Sequence, residues 1–400
     1  MRVLMIPSFF RNNENKSSGS FFLDQAILMQ EKGHDVSILF ADTYSLKHIG
    51  DFFNYKEKNE IINGISIIRD RELAPFKHNG ILGNRKAFIK CCLKIIKQEY
   101  NDKLPFDIIH AQNCVWAGVA AYTISNKYNI PYIITEHSSM YELAEEKMLS
   151  KLYRYIRIGF DNASSIVCVS DKLKNSVQKY TMNKISVIGN VVDTQSYSLI
   201  DRIIDKKQPF VFTTVAFLTT EERVKLKGID LLLQGFKRFL EVNSNAILKI
   251  IGVPESIIIL SKLISDMNLN GKVLIIEPLE RDRIFEEYKM TNCFVLLGKY
   301  ETFGLVYAEA MATGLPAIAT DVGISEEIIS DATGVICKER NPECVANALL
   351  HVYKKYEEYQ PQQIRERITS RYSKESVGEQ IEYIYQSVMH KGSNNERKKK

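Results

Sequence analysis

Seven cysteines are spread through 400 residues without a single C-x-x-C pair, and their number is odd. Neither a disulfide framework nor a zinc site is indicated by that pattern. No D-x-D occurs, so no carboxylate pair stands out as a holder of Mn²⁺ or Mg²⁺, and no bound cofactor is expected. The absence of G-x-x-x-x-G-K-[ST] disfavours an NTPase. No apolar run approaches the roughly 18–20 residues of a membrane span, so any membrane contact must be peripheral. Met1–Ile6 runs straight into Pro7 and a polar loop, and reads as a first strand rather than a signal peptide. The chain therefore reads as cytosolic. Its net charge of +5 is mild and comes in part from Lys398–Lys400. Basic and aromatic residues are not interleaved on one face, which argues against nucleic acid as a partner.

What is present is an ordinary globular composition, 45% apolar and 25% charged. A chain of 400 residues exceeds what one hydrophobic core usually serves, so two domains are expected. Short apolar runs alternate with helical patterns, the signature of α/β architecture with parallel sheets. Strands are expected at Val3–Ile6, Val36–Phe40, Ile65–Ile68, Ile108–Ala111, Tyr132–Thr135, Ser165–Val169 and Ile185–Ile188. A second series follows at Phe210–Val215, Ala246–Ile251, Lys272–Ile276, Cys293–Leu297, Ala317–Thr320 and Gly334–Cys337. Helices fall between them, for example at Ile229–Val242 and 342–357. The polar stretch Asp201–Gln208, followed by Pro209, is the best linker candidate. This predicts two Rossmann-like domains, 1–200 and 208–372, facing a shared cleft. A helix over 373–390 is expected to pack back on the first domain, with a disordered basic tail at 391–400. Ligands should sit at the C-terminal ends of the strands.

The run from Lys299 to Pro316 constrains chemistry most tightly. An apolar strand feeds a glycine-bearing loop, and the loop opens an alanine-rich helix that Gly314 and Pro316 terminate. Glu301 lies on the loop and Glu309 about two turns into the helix. Between them the amides of Phe303, Gly304 and Leu305 form the positive end of a helix dipole, which attracts phosphate or polarised hydroxyls. Taken singly, each glutamate could be a capping or solvated residue. Together they suit a phosphate carrying hydroxyl-rich groups on both sides, as in a nucleotide-sugar. A second signal is Lys227–Gly228 at the start of a helix, where the lysine can neutralise a diphosphate.

The combination of strand, Glu, Phe–Gly, Glu–Ala–Met–Ala and Gly–x–Pro resembles the retaining glycosyltransferases of the GT-B fold, family 4 type, whose hallmark is an E-x7-E element. By that resemblance Glu301 contacts donor-sugar hydroxyls and Glu309 the two ribose hydroxyls. The amides of Phe303 to Leu305 take sugar or diphosphate oxygens. His137, just past the strand Tyr132–Thr135, is brought to the donor sugar and reaction centre. The loop around Gly19, ahead of Ser20, touches donor phosphate and acceptor. His110, where the family often has a second histidine in place of Gln112, is structural or acceptor-side. Asn190–Tyr197 resembles an element at the interdomain edge, and Gly252 and Gly323–Glu327 resemble two loops beside the nucleotide.

One departure stands out. The family commonly places Gly–Arg–Leu before the lysine, with the arginine sharing the diphosphate, whereas Val215–Leu218 has neither glycine nor arginine. Arg223 or Lys225, in the stretch Thr219–Leu226, is the expected replacement. The implied activity is metal-independent transfer of a hexosyl group from a nucleotide diphosphate sugar to a saccharide or lipid-linked acceptor hydroxyl, in bacterial surface polysaccharide or glycolipid synthesis. Alternatives are a nucleotide-sugar epimerase or hydrolase, and a non-catalytic sugar-binding partner with a degenerate donor site. A glycosidase pair would need carboxyls about 5–9.5 Å apart. Two basic stripes, Lys86, Lys90, Lys94, Lys97 and Lys147, Lys151, Arg154, Arg157, recur at helical spacing. Each is either a solvated face or a peripheral contact with anionic lipid at the inner face of the cell membrane.

Overall fold

The computed structural model describes the chain except residues 13–17, 58, 75–80, 202–206, 253–256 and 398–400, and describes no side chains for 81–84 and 391–397. The chain divides into two compact units, Met1–Val191 with Val377–Lys400, and Val192–Ser376.

Among the described residues the first unit holds eight strands: β1 (Arg2–Pro7), β2 (Asp35–Ser45), β3 (Glu60–Ile62), β4 (Ile65–Ala74), β5 (Ile108–Gln112), β6 (Tyr132–Glu136), β7 (Ser165–Cys168) and β8 (Ile185–Val187). They form one sheet in the order β3-β4-β2-β1-β5-β6-β7-β8. All neighbours are parallel except β3 and β4, which are antiparallel. That hairpin turns on Asn63 and Gly64, both at positive φ (49° and 80°), as a two-residue Asn-Gly turn requires. The sequence pattern had shown β4 but not β3. Central strands of such a sheet are covered on both faces: β5 and β6 are buried at every position, their polar His110, Gln112, Thr135 and Glu136 included.

The second unit holds six strands: β9 (Phe210–Val215), β10 (Ala246–Ile251), β11 (Val273–Ile276), β12 (Cys293–Leu296), β13 (Ala317–Thr320) and β14 (Gly334–Cys337). Their order is β11-β10-β9-β12-β13-β14, and every neighbouring pair is parallel. The chain is thus α/β with two Rossmann-like parallel sheets. In each, strand order reverses beside the first strand, between β1 and β5 and between β9 and β12. The crevice beyond the carboxyl ends of such a pair is where open α/β sheets take ligands.

Residues 192–200, which the sequence groups with the first half, pack in the second unit. The Val192 amide donates to the Tyr372 carbonyl (2.8 Å) and the Ile200 amide to the Thr313 carbonyl (3.1 Å). Arg365 donates to the carbonyls of Tyr197 (2.7 Å) and Thr194 (2.6 Å). Most of the expected linker, 202–206, lies outside the described residues.

The last helix runs Lys374–Arg397, beyond the expected end at 390, and so includes most of the stretch read as a disordered tail. Its Tyr385 is fully buried in the first unit, with its hydroxyl hydrogen-bonded to Nδ1 of His110 (2.8 Å). Among the described residues no helix is long and apolar enough to cross a membrane.

Candidate functional site

At the switch point of the second unit, β12 ends against the start of the helix Ile229–Val242. Gly228 caps that helix at φ +69°, and a Cβ there would lie 2.0 Å from the Leu297 carbonyl oxygen, so only glycine fits. The close approach brings Lys227 to the loop that leaves β12. The Lys299 amide donates to the Leu226 carbonyl (2.7 Å), and Lys227 Nζ meets Glu301 Oε1 at 2.5 Å. Both side chains of the pair are largely but not fully enclosed, with 17% and 13% exposure. The two strongest signals of the sequence therefore form one charged pair.

The helix Leu305–Ala312 begins just beyond Glu301. Its cap, Gly304, has φ +94°, and a Cβ would lie 2.3 Å from the Tyr307 ring. The first amides of a helix have no intrahelical acceptor. Among the described residues Phe303, Gly304 and Leu305 donate no backbone hydrogen bond elsewhere. Phe303 is buried edge-on against Tyr372 (centroids 5.1 Å apart), and its carbonyl accepts from the Ile324 amide (3.1 Å), which draws the Gly323–Glu327 loop to the same place. Glu309 is buried, not a solvated helical residue; burial of Tyr288, with a smaller contribution from the Glu309 carboxylate, pushes that hydroxyl well above its ordinary value.

Residues Glu221–Leu226 form a short helix capped by the Thr220 side chain. On it Lys225 pairs with Glu221 across one turn (2.7 Å), and both Arg223 and Lys225 are exposed. Glu and Lys four apart favour helix over loop. A different arginine, Arg340, reaches the β12 loop. Its Nη1 donates to the carbonyls of Leu297 (2.5 Å) and Gly298 (2.7 Å).

In the first unit the corresponding position is built on β5 and β6. His137, just past β6, is buried and packs against the rings of both Phe21 and Phe22, with centroids 4.9 and 5.1 Å away. Gly19, at φ +66°, abuts the same group: a Cβ would lie 2.9 Å from the Phe22 ring. Gln112 Nε2 donates to Gln25 Oε1 (2.5 Å), so its Oε1 accepts from His137 Nε2–H (2.8 Å). That fixes the tautomer and leaves Nδ1 as a bare lone pair, buried without a hydrogen-bond partner. Burial, with a smaller contribution from His110, holds the imidazole down at about 3, so it is neutral at pH 7.

His110 is different. Burial brings it to about 3 as well, but both its nitrogens are occupied, by Thr135 (2.7 Å) and Tyr385 (2.8 Å). It is a structural histidine.

Comparison with known proteins follows the two sheets. Residues 19–196 match the family model of Glycosyltransferase Family 4, and residues 200–370 that of the glycosyl transferases group 1. The chain belongs to the family 4 type of GT-B glycosyltransferases. N-acetyl-alpha-D-glucosaminyl L-malate synthase of Bacillus anthracis is 26% identical over 72% of this chain and 76% of its own length. UDP-Gal:alpha-D-GlcNAc-diphosphoundecaprenol alpha-1,3-galactosyltransferase of Escherichia coli is 24% identical over 65% of this chain and 68% of its own. Sucrose-phosphate synthase from Thermosynechococcus elongatus shares the fold, with a TM-score of 0.77 over 97% of this chain and 99% of that one at 17% identity.

This glycosyltransferase carries a residue that sequence reasoning passed over. Glu136, beside His137, is fully buried and accepts from the amides of Cys114 (2.8 Å), His137 (2.9 Å) and Ser138 (2.8 Å) and from the Tyr141 hydroxyl (2.9 Å). Burial raises its pKa and the four donors oppose that rise. A buried carboxylate so held fixes the loop on which His137 sits. The basic stripes also separate. Lys90 and Lys94 pair with Glu72 (2.8 Å) and Asp70 (2.7 Å) on β4. On the helix Glu146–Asp161, Arg157 pairs with Asp161 (2.5 Å), whereas Lys147, Lys151 and Arg154 are exposed together with Tyr153.

Proposed function

We propose that this glycosyltransferase moves a hexosyl group from a nucleotide diphosphate sugar to an acceptor hydroxyl with retention of anomeric configuration. The observation that carries the reading is the Lys227–Glu301 pair set beside the free amides at the start of the Leu305–Ala312 helix. Cation and amides suit a departing diphosphate, and the carboxylate suits sugar hydroxyls. In this scheme the bond from the anomeric carbon to the β-phosphate oxygen breaks and a bond to the acceptor oxygen forms on the same face. The acceptor proton passes to the leaving phosphate. Lys227 and the helix amides stabilise the charge that grows there. Glu309 binds the ribose, and the bare Nδ1 of His137 accepts a hydrogen bond from a substrate hydroxyl. None of these steps asks a bound metal to carry charge.

The proposed destination is a surface polysaccharide or glycolipid assembled at the inner face of a bacterial membrane, with the acceptor carried on lipid. The Escherichia coli relative, a galactosyltransferase named for a diphosphoundecaprenol-linked acceptor, supports that class, as do exposed Lys147, Lys151 and Arg154 on one helix. A basic side chain near an anionic bilayer contributes about 1 kcal/mol. A thermal-shift screen of UDP-, GDP- and ADP-sugars tests the donor assignment, followed by acceptor-dependent release of nucleoside diphosphate. We expect one donor class to stabilise the protein and Glu309→Ala to lose that release. No stabilisation by any of the three sinks the reading, and turnover of donor without acceptor makes the chain a hydrolase or epimerase. Flotation with phosphatidylglycerol vesicles but not phosphatidylcholine vesicles is expected, and equal partitioning removes the membrane assignment.

A further inference from the structure

Three elements of the second unit meet at one peptide, Leu297–Gly298. The Leu297 carbonyl lies where a Cβ on Gly228 would overlap it, at 2.0 Å. The Gly298 carbonyl accepts from the Thr320 hydroxyl at 2.6 Å. Arg340, in the connection from β14 to the helix Pro342–Lys354, bridges the two carbonyls through Nη1, at 2.5 and 2.7 Å. One residue further on, the Lys299 amide is tied to Leu226, and two residues beyond that is Glu301 on Lys227. A charged donor on two successive carbonyls is a strong, geometrically specific anchor.

A second observation concerns charge. Asp230, in the first turn of the helix that Gly228 opens, has a buried Oδ1 with no hydrogen-bond partner. Burial lowers the Arg340 pKa from its ordinary value, and the Asp230 carboxylate opposes that fall. Arginine stays charged under such opposition. The guanidinium is therefore a fixed positive centre at the root of the loop, on the same peptide that Gly228 packs against. The stretch where Arg223 and Lys225 were expected to provide one is a short helix, Glu221–Leu226, with both of those side chains exposed.

We propose that Arg340 is the positioning residue for the donor diphosphate site, setting the Lys227–Glu301 pair by clamping the Leu297–Gly298 peptide from the β14 side. The inference rests on the reading of Lys227 and Glu301 as donor-site residues. It explains how this chain keeps that site without an arginine in Val215–Leu218: the anchoring cation comes from the far end of the sheet.

The test is a double-mutant cycle on nucleoside diphosphate affinity, measured by titration calorimetry with UDP, GDP and ADP, with melting temperature recorded for every variant. Arg340→Ala is expected to weaken the tightest of the three about tenfold in the wild-type background and less than about twofold in Lys227→Ala. A residue that only supports the fold costs the same in both backgrounds, and that additive result overturns the proposal. So does unchanged affinity in Arg340→Ala. Should that variant not fold, Arg340→Lys carries the same cycle, since an ammonium keeps the charge but loses the planar fork. If wild type binds none of the three nucleotides, the donor-site reading fails rather than the clamp.

Discussion

In the first unit the candidate site is dry and neutral: His137, Gln112 and Gln25 are all buried and hold one another by side-chain hydrogen bonds. In the second, the pair Lys227–Glu301 is charged and partly open, and its position comes from backbone contacts, Gly228 on Leu297 and Lys299 on Leu226. The contrast matches the chemistry each half is proposed to meet. A diphosphate needs full charges, which remain affordable only where some water reaches them. A sugar hydroxyl needs a directed lone pair, which a buried neutral imidazole supplies when its other nitrogen is tied down.

The largest break in that contrast is expected from Gly228→Ala. The added carbon overlaps a carbonyl oxygen at 2.0 Å and the residue sits at φ +69°, so the backbone must move. We expect a loss of at least about 4 kcal/mol, or no folded second unit. A melting temperature near wild type refutes the close approach.

In the first unit the counterpart is Glu136→Ala, which strands three amides and the Tyr141 hydroxyl in a buried site. Its expected cost is about 3–5 kcal/mol by urea unfolding, in the range for breaking a buried charged network. A cost below about 1 kcal/mol means water replaces the carboxylate.

Acid should sharpen the difference by a smaller amount. His110 and His137 are each held near 3, below their ordinary 6.5, so the unfolded chain binds protons that the folded chain refuses. Their contribution is complete above pH 6.5 and is lost as pH falls from there towards 3, at most about 2 kcal/mol per histidine by pH 5. Glu136, whose pKa is raised, acts in the opposite sense: the folded chain takes up its proton first on acidification. Urea midpoints between pH 7.5 and 5 should fall less steeply in His110→Asn than in wild type. Identical slopes would remove His110 from the account.

Much of this was legible in residue order because it is local. Every strand expected from apolar runs is present, and the Ile229–Val242 helix has the expected limits. Lys227–Gly228 and Glu301–Gly304 were found because a glycine at a helix start marks itself in the sequence. The β3–β4 hairpin was also marked, by Asn63–Gly64, and that signal was passed over. Arg340 and Glu136 carried no such mark. Each matters through partners on other elements, and nothing in Lys338–Asn341 or Thr135–Ser138 announces them. The helix that carries Arg223 and Lys225 was not foreseen either, although Glu221 one turn from Lys225 is a pairing that favours it.

The last helix has a consequence for synthesis. Tyr385, which satisfies a nitrogen of His110 in the middle of the first sheet, leaves the ribosome only after the whole second unit has been made. At bacterial elongation rates of about 5–20 residues per second, that wait is on the order of ten seconds or more. A nascent chain thus holds all eight strands of the first sheet, but not the helix that carries Tyr385, while the second unit is being made. Translation arrested before residue 377 would leave the second unit whole and the first without its last helix, with His110 Nδ1 lacking its Tyr385 partner.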